Sequence, residues 1–148
     1  NGCEITALTA VLRTYGYEVT KTEMADHYLP KERFYWLNGK LYGANPYQAY
    51  AGNPRDEPGG FFTYAPPVLE ATHLYLTEVG GKESVYNLTG SSREEIISQL
   101  NKGIPVVIWV TRDMREPRIN YSWYFSDTGE YFSAPVNLHA EAPIFLKD

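Results

Sequence analysis

One cysteine, Cys3, is all the thiol in this 148-residue chain. No internal disulfide can form, so the fold must stand on a hydrophobic core, and the length is sufficient for one. Long apolar runs are missing too, and no stretch is long enough to cross a bilayer as a helix. Basic charge is in deficit. Thirteen Lys and Arg against 18 Asp and Glu leave a net charge of −5, which argues against nucleic acid and anionic membrane surfaces as partners. His27, His73 and His139 are scattered, and with one cysteine they offer no metal-ligand spacing. Gly59-Gly60 is a turn signal without the rest of a phosphate-binding loop. No cofactor is therefore expected. There is no internal repeat, no low-complexity tract and no visible signal peptide, so targeting and oligomeric state are not legible.

What the chain does have is aromatic surface. Thirteen tyrosines and three tryptophans are unusual for this size. Many belong in a core or on half-exposed strands, and a share could line a groove, because aromatics give large contact area with few rotamers to freeze. Hydrophobic residues at 43% and charged residues at 21% otherwise describe an ordinary soluble globular domain.

Apolar residues at Ile5, Leu8, Leu12 and Tyr15 have the spacing of one helical face, and Cys3, Ala7 and Ala10 form a second, small-residue face. The pattern predicts a helix from Gly2 to Tyr15, buried between two layers and ended by Gly16. A short second helix is predicted from Thr20 or Thr22 through His27, stopped by Leu29-Pro30. Residues Lys31 to Tyr64 are rich in Gly and Pro and read as a long ordered loop or a set of turns, and a loop this long is usually functional. Helices follow over Ala65 to Val79 and after Ser91 or Ser92, the latter turning Ile96, Ile97 and Leu100 inward. A short strand is predicted over Ser84 to Leu88, and a strand buried on both faces over Pro105 to Thr111. Tyr121 to Phe125 and Glu130 to Ser133 flank a hairpin turn, and Val136 to Leu146 forms a last strand with Pro143 an awkward member. Helices first and strands last define an α+β domain.

Chemistry concentrates at Cys3. Backbone N–H groups converge at a helix N-terminus, where the dipole favours negative charge and lowers a thiol's pKa. Asn1 can cap this helix and Glu4 can reach back to it, which places Cys3 at the second helical position. Taken alone, a first-turn cysteine is more often a small buried hydrophobe than a nucleophile. A nucleophile needs a base, and histidine serves best near neutral pH. His27, at the end of a polar helix, reads as solvated. His73, beside Thr72 and Leu74, reads as exposed or as a satisfied partner. His139 lies in the C-terminal strand block. Cysteine early on a helix and histidine late on a strand is the chain order of papain-like enzymes, although the bare order is a weak signal.

Several stretches together resemble one family. Asn1-Gly2-Cys3-Glu4-Ile5-Thr6-Ala7-Leu8, Gly52-Asn53-Pro54, Gly59-Gly60-Phe61 with Tyr64-Ala65-Pro66, Leu88-Thr89-Gly90-Ser91-Ser92, and Gly103 through Thr111 are similar to the bacterial papain-like cysteine peptidases of the bacteriocin-processing, double-glycine type. The stand-alone, often secreted branch is the nearer likeness. The resemblance implies a single papain-like peptidase domain over 1–148, with N-terminal helices and a C-terminal antiparallel sheet. It implies Cys3 as nucleophile, His139 as general base and a peptide or protein as substrate. Gly60 and Phe61 of the long loop and Trp123 of the strand region would wall the groove. An extracellular or cell-surface location is implied as well. The family's oxyanion glutamine would precede Asn1, and its histidine-orienting Asp or Asn would follow Asp148. The expectation is therefore a domain incomplete at both ends or a degraded catalytic set, and a chain of these residues alone is expected to be weakly active or inactive on peptides. A cell-wall amidase or endopeptidase of the same plan is the alternative enzyme. A catalytically inactive module presenting aromatics to a peptide or glycan is the alternative from another class.

Overall fold

The computed structural model describes residues 2–56, 60–111, 119–135 and 138–141, with the backbone alone described at 111, 119–120, 135 and 138–141. The first helix, α1, spans Cys3–Thr14. Ile5, Leu8 and Leu12 bury their side chains in the core together with Ala7 and Thr9, and the Thr9 hydroxyl donates to the Ile5 carbonyl at 2.7 Å. Ala10 and Tyr15, expected on buried faces, are exposed. Tyr15 is already the C-cap, and Gly16 takes the positive φ of 92° that turns the chain away. Helix α2, Lys21–Glu23, starts at Thr20, whose side chain accepts from the Glu23 N–H at 3.1 Å. It runs on into a π-helical turn, Met24–Tyr28, that seats Met24 and Ala25 in the core.

Residues 31–51 form regular strands where an ordered loop or a set of turns is predicted. They hold four short strands, β1 (Lys31–Glu32), β2 (Tyr35–Leu37), β3 (Lys40–Gly43) and β4 (Tyr50–Ala51). Strand β1 pairs in parallel with β4. Strands β2 and β3 form a hairpin over Asn38-Gly39, whose φ values of 52° and 77° are both left-handed, as a tight primed turn requires. Helix α3, Ala65–Val79, and helix α4, Arg93–Asn101, follow as predicted, the second capped by Ser92 accepting from the Glu95 N–H at 3.1 Å. Ile97 of α4 is exposed, against expectation, while Leu100 is buried. The strand predicted over Ser84 to Leu88 does not form. That segment is mostly exposed and has no strand partner among the described residues.

The C-terminal third supplies β5 (Ile108–Thr111), β6 (Ile119–Phe125), β7 (Tyr131–Pro135) and β8 (Leu138–Glu141). Strand β5 begins three residues later than predicted, and the described side chains of Ile108, Trp109 and Val110 are only half-buried. Pro143 lies outside the described residues. Strands β6 and β7 form the predicted antiparallel hairpin, and β3 joins β6 in parallel, giving the order β2-β3-β6-β7. Strands β5 and β8 pair antiparallel, with Val110 opposite His139. The architecture is thus α+β, helices mainly N-terminal and antiparallel strand pairs C-terminal.

Two cores result. Helices α1 and α3 and the π-helical turn enclose the first, with Ile5, Leu8, Leu12, Met24, Tyr50, Val68 and Leu76. The inner face of the four-stranded sheet encloses the second, around Trp123. The outer face carries a row of tyrosines in register, one per strand. Tyr35 stacks on Tyr42 at 5.5 Å, Tyr42 meets Tyr124 at 5.8 Å, and Tyr124 meets Tyr131 at 5.0 Å. Such cross-strand pairs stabilise a sheet by a few tenths to about 1 kcal/mol each.

Candidate active site

The site forms around the start of α1. Gly2, with φ 79°, is the N-cap, and its side-chain-free backbone brings no capping hydrogen bond. Its carbonyl instead accepts from both the backbone N–H and the hydroxyl of Thr6, each at 2.9 Å. Cys3 is therefore the first helical residue rather than the second, and Asn1, given the cap by the sequence, lies outside the described residues. Glycine adopts this left-handed turn without strain, and a Cβ there would come within 3.4 Å of Pro54 and 3.7 Å of Ile5. Cys3 is half-buried. The first-turn N–H groups around it are the donors a thiolate or an oxyanion can use.

Glu4 departs most from expectation. A capping glutamate would stay in water, yet only 3% of this one is exposed. Burial holds its carboxyl above the usual carboxylate range. Hydrogen bonding from its own backbone N–H, from the Cys3 side chain and from the Thr63 N–H works in the opposite direction. Beneath it lies Tyr50 of β4, fully buried, its hydroxyl pushed up by burial and then by the nearby Glu4 carboxyl. Neither residue stands out in sequence, because a single glutamate one step after a cysteine reads equally well as a solvated first-turn acid.

The wall beside Cys3 comes from the segment 52–64. Asn53 to Asp56 form a turn, closed by the Asp56 N–H to the Asn53 carbonyl at 2.9 Å and by Asn53 Oδ1 accepting from the Arg55 N–H at 3.0 Å. Arg55 pairs with Asp26 at 2.7 Å and ties this turn to the π-helical turn. Gly60 packs directly on the Asn53 backbone, where a Cβ would run into the Asn53 carbonyl and lie 3.3 Å from the Pro54 Cα. Pro54 thus stands between Gly2 and Gly60. Beyond it, the Phe61 N–H donates to the Ala51 carbonyl and the Ala51 N–H to the Phe62 carbonyl, both at 2.9 Å. The Trp109 indole donates to the Thr63 carbonyl at 2.8 Å and fixes β5 to the same segment.

The structure distributes the predicted site residues as follows. Cys3 opens α1, and α1 packs against β8, the strand that carries His139. Gly60 is in the wall next to Pro54. Phe61 is half-buried, with its ring 5.5 Å from that of Trp123. Trp123 is not on a groove surface: only 1% of it is exposed, and its indole donates to the Ala44 carbonyl at 2.8 Å. An inward-facing residue of β6 has the sheet behind it and Phe34, Phe61, Phe62 and Phe132 around it, so it supports Phe61 from within. His27 and His73 are both exposed. Among the described residues no group of His, Cys, Asp and Glu could hold a metal ion, and no helix is long and apolar enough to cross a membrane.

A cysteine-headed helix laid against a C-terminal pair of antiparallel strands is a peptidase-like arrangement. The sequence matches the Peptidase_C39 like family over residues 1–136, and the chain belongs to that family. It is 34% identical over 110 residues to the uncharacterized protein YvpB of Bacillus subtilis (strain 168), a match covering 74% of this chain and 40% of YvpB. The chain thus spans about two-fifths of the length of that relative. Its fold is similar to the crystal structure of a Bacillus anthracis protein assigned as a C39-like peptidase. The TM-score is 0.76 at 25% identity, and the match covers 97% of this chain and 68% of that one.

Proposed function

We propose that this domain is a cysteine peptidase in which the Cys3 thiolate is the nucleophile and His139 the general base. The observation that carries this is the packing of α1 on β8, which brings the helix headed by Cys3 to the strand bearing His139. In this mechanism His139 takes the thiol proton and Cys3 Sγ attacks the peptide carbonyl carbon. The oxyanion accepts a hydrogen bond from the Cys3 backbone N–H. The tetrahedral intermediate expels the amine, which leaves with the proton from His139. Water, deprotonated by His139, then hydrolyses the thioester and frees the thiol. The segment around Pro54, Gly60 and Phe61 flanks the substrate on the Cys3 side. An extracellular or cell-surface location completes the proposal, and fractionation of the producing cells tests it.

The test of the chemistry is thiol labelling combined with hydrolysis. Iodoacetamide at mildly acidic pH should alkylate Cys3 in the folded protein faster than a free cysteine model, and Cys3→Ala and His139→Ala should each abolish hydrolysis of peptide libraries. Labelling only after denaturation would identify a structural thiol and overturn the mechanism. Hydrolysis of peptidoglycan but not of peptides would instead assign the domain to cell-wall cleavage.

A further inference from the structure

Two polar groups are buried under the thiol with bonding capacity to spare. Glu4 is 3% exposed and Tyr50 is fully buried, and among the described residues neither Glu4 Oε1 nor the Tyr50 hydroxyl completes a hydrogen bond. Such groups are costly in a folded interior, and natural proteins keep few of them. Here both sit at the end of α1 that presents Cys3. Glu4 and Cys3 are also in direct hydrogen-bonding relation, and Tyr50 feels both.

The other ionisable side chains described on elements packed against α1 are engaged or exposed. Asp26 of the π-helical turn is paired with Arg55 at 2.7 Å. Glu23 of α2 faces Thr20 in its cap. On α3, Glu70, His73 and Glu78 are exposed, and the Tyr75 ring is turned towards Tyr17 and Tyr28. Strand β8 contributes His139 and Glu141 to the sheet beside α1.

Two acids in contact in a sheltered site cannot both ionise freely, so their protons come off in steps that belong to the pair. We propose that Glu4 is a positioning residue for Cys3, its carboxyl and the thiol holding a single proton between them in the resting protein. This rests on Cys3 being the nucleophile. With the proton on Glu4, the sulfur is a thiolate that the carboxylic O–H can support. With the proton on sulfur, the carboxylate holds the S–H in place until His139 removes it. No atom is gained or lost: the proton moves between oxygen and sulfur across one hydrogen bond. Tyr50 is fully buried near both groups.

The pH profile of iodoacetamide labelling, measured on the intact protein and on Glu4→Gln, tests this. Glutamine keeps the size and removes the shared proton and the like charge. The variant should reach full reactivity at lower pH than wild type, with labelling about tenfold faster at a fixed mildly acidic pH, the scale of one neighbouring like charge. A glutamate that merely props up the fold would change the melting temperature and leave the profile in place, and that result overturns the proposal. Should Glu4→Gln fail to fold, Cys3→Ala with carboxyl-13C glutamate labelling gives a second reading. Loss of the thiol should raise the titration midpoint of the Glu4 carboxyl resonance, and an unmoved midpoint would likewise overturn the proposal. A wild-type Cys3 that labels only when denatured would refute the nucleophile itself, while the NMR measurement still decides whether Glu4 and Cys3 are coupled.

Discussion

Gly60→Ala isolates the role of the wall beside Cys3. The φ of Gly60 lies outside the left-handed region, so alanine meets no backbone penalty there, and the whole effect is steric. The obstacle is the carbonyl of Asn53 with the Cα of Pro54 just behind it. Both are backbone, so no rotamer change can relieve the overlap and the turn 53–56 must shift. Overpacking of this kind costs about 1–3 kcal/mol, which for a domain of this size lowers the melting temperature by about 3–9 °C. Because Pro54 also touches the Gly2 turn, the displacement should reach Cys3 and change its rate of alkylation. Gly39→Ala is the matched control. That glycine has φ 77° and open space around it, so alanine costs about 1–2 kcal/mol of backbone strain and should leave Cys3 labelling alone. Calorimetry and timed iodoacetamide labelling of the three proteins are sufficient. A Gly60→Ala variant that melts within about 1 °C of wild type, or labels at the wild-type rate, would refute the coupling of this wall to Cys3.

Trp123→Phe removes the donor to the buried Ala44 carbonyl and leaves part of the indole volume empty. Urea unfolding should show a loss of about 2–4 kcal/mol, whereas a loss under 1 kcal/mol would contradict the packing described. Ser92→Ala deletes the α4 cap and should cost about 1 kcal/mol by the same measurement. Glu4 sets a pH dependence of stability. Burial raises its folded pKa above the unfolded value, so its contribution is fully present below the unfolded value and is lost as pH rises through the folded one. Thermal melts should show wild type losing stability towards higher pH across that window and Glu4→Gln losing less. Identical slopes would show that Glu4 is as readily ionised folded as unfolded.

Helices α1, α3 and α4 and the β6–β7 hairpin were legible because each combines a strong period with a terminal signal, such as Ser92 before α4 or Asp127-Thr128-Gly129 between strands. The β2–β3 hairpin was missed although Asn38-Gly39 is a strong turn signal. Its flanking strands are short, β2 exposed throughout and β3 only partly buried, so apolar alternation does not single them out from the glycine-rich surroundings. Ser84 to Leu88 failed for the opposite reason: its β-forming residues find no neighbouring strand among the described residues, and propensity without a partner does not make a sheet. At the site, residue type and helix position marked Cys3. The burial of Glu4 depends on Gly2 turning the chain into the cap and on Tyr50 arriving from β4, and neither leaves a local trace. The family resemblance puts Trp123 in the groove wall. Strand alternation on β6 puts it inside with Phe125, and Tyr124 outside.

The row formed by Tyr35, Tyr42, Tyr124 and Tyr131 joins two distant stretches of the chain through the parallel contact of β3 with β6. A slip of β3 by one residue would turn Tyr42 to the opposite face and leave a gap between the first and last pairs. Parallel or tilted phenol rings about 5–6 Å apart couple their electronic transitions and add to the near-ultraviolet circular dichroism of the separate rings. The sheet thus carries its own optical gauge of alignment. During refolding, the Tyr42–Tyr124 share of this signal should emerge only when the middle of the chain has docked in register on its C-terminal hairpin, after the Tyr35–Tyr42 and Tyr124–Tyr131 pairs that each hairpin forms by itself.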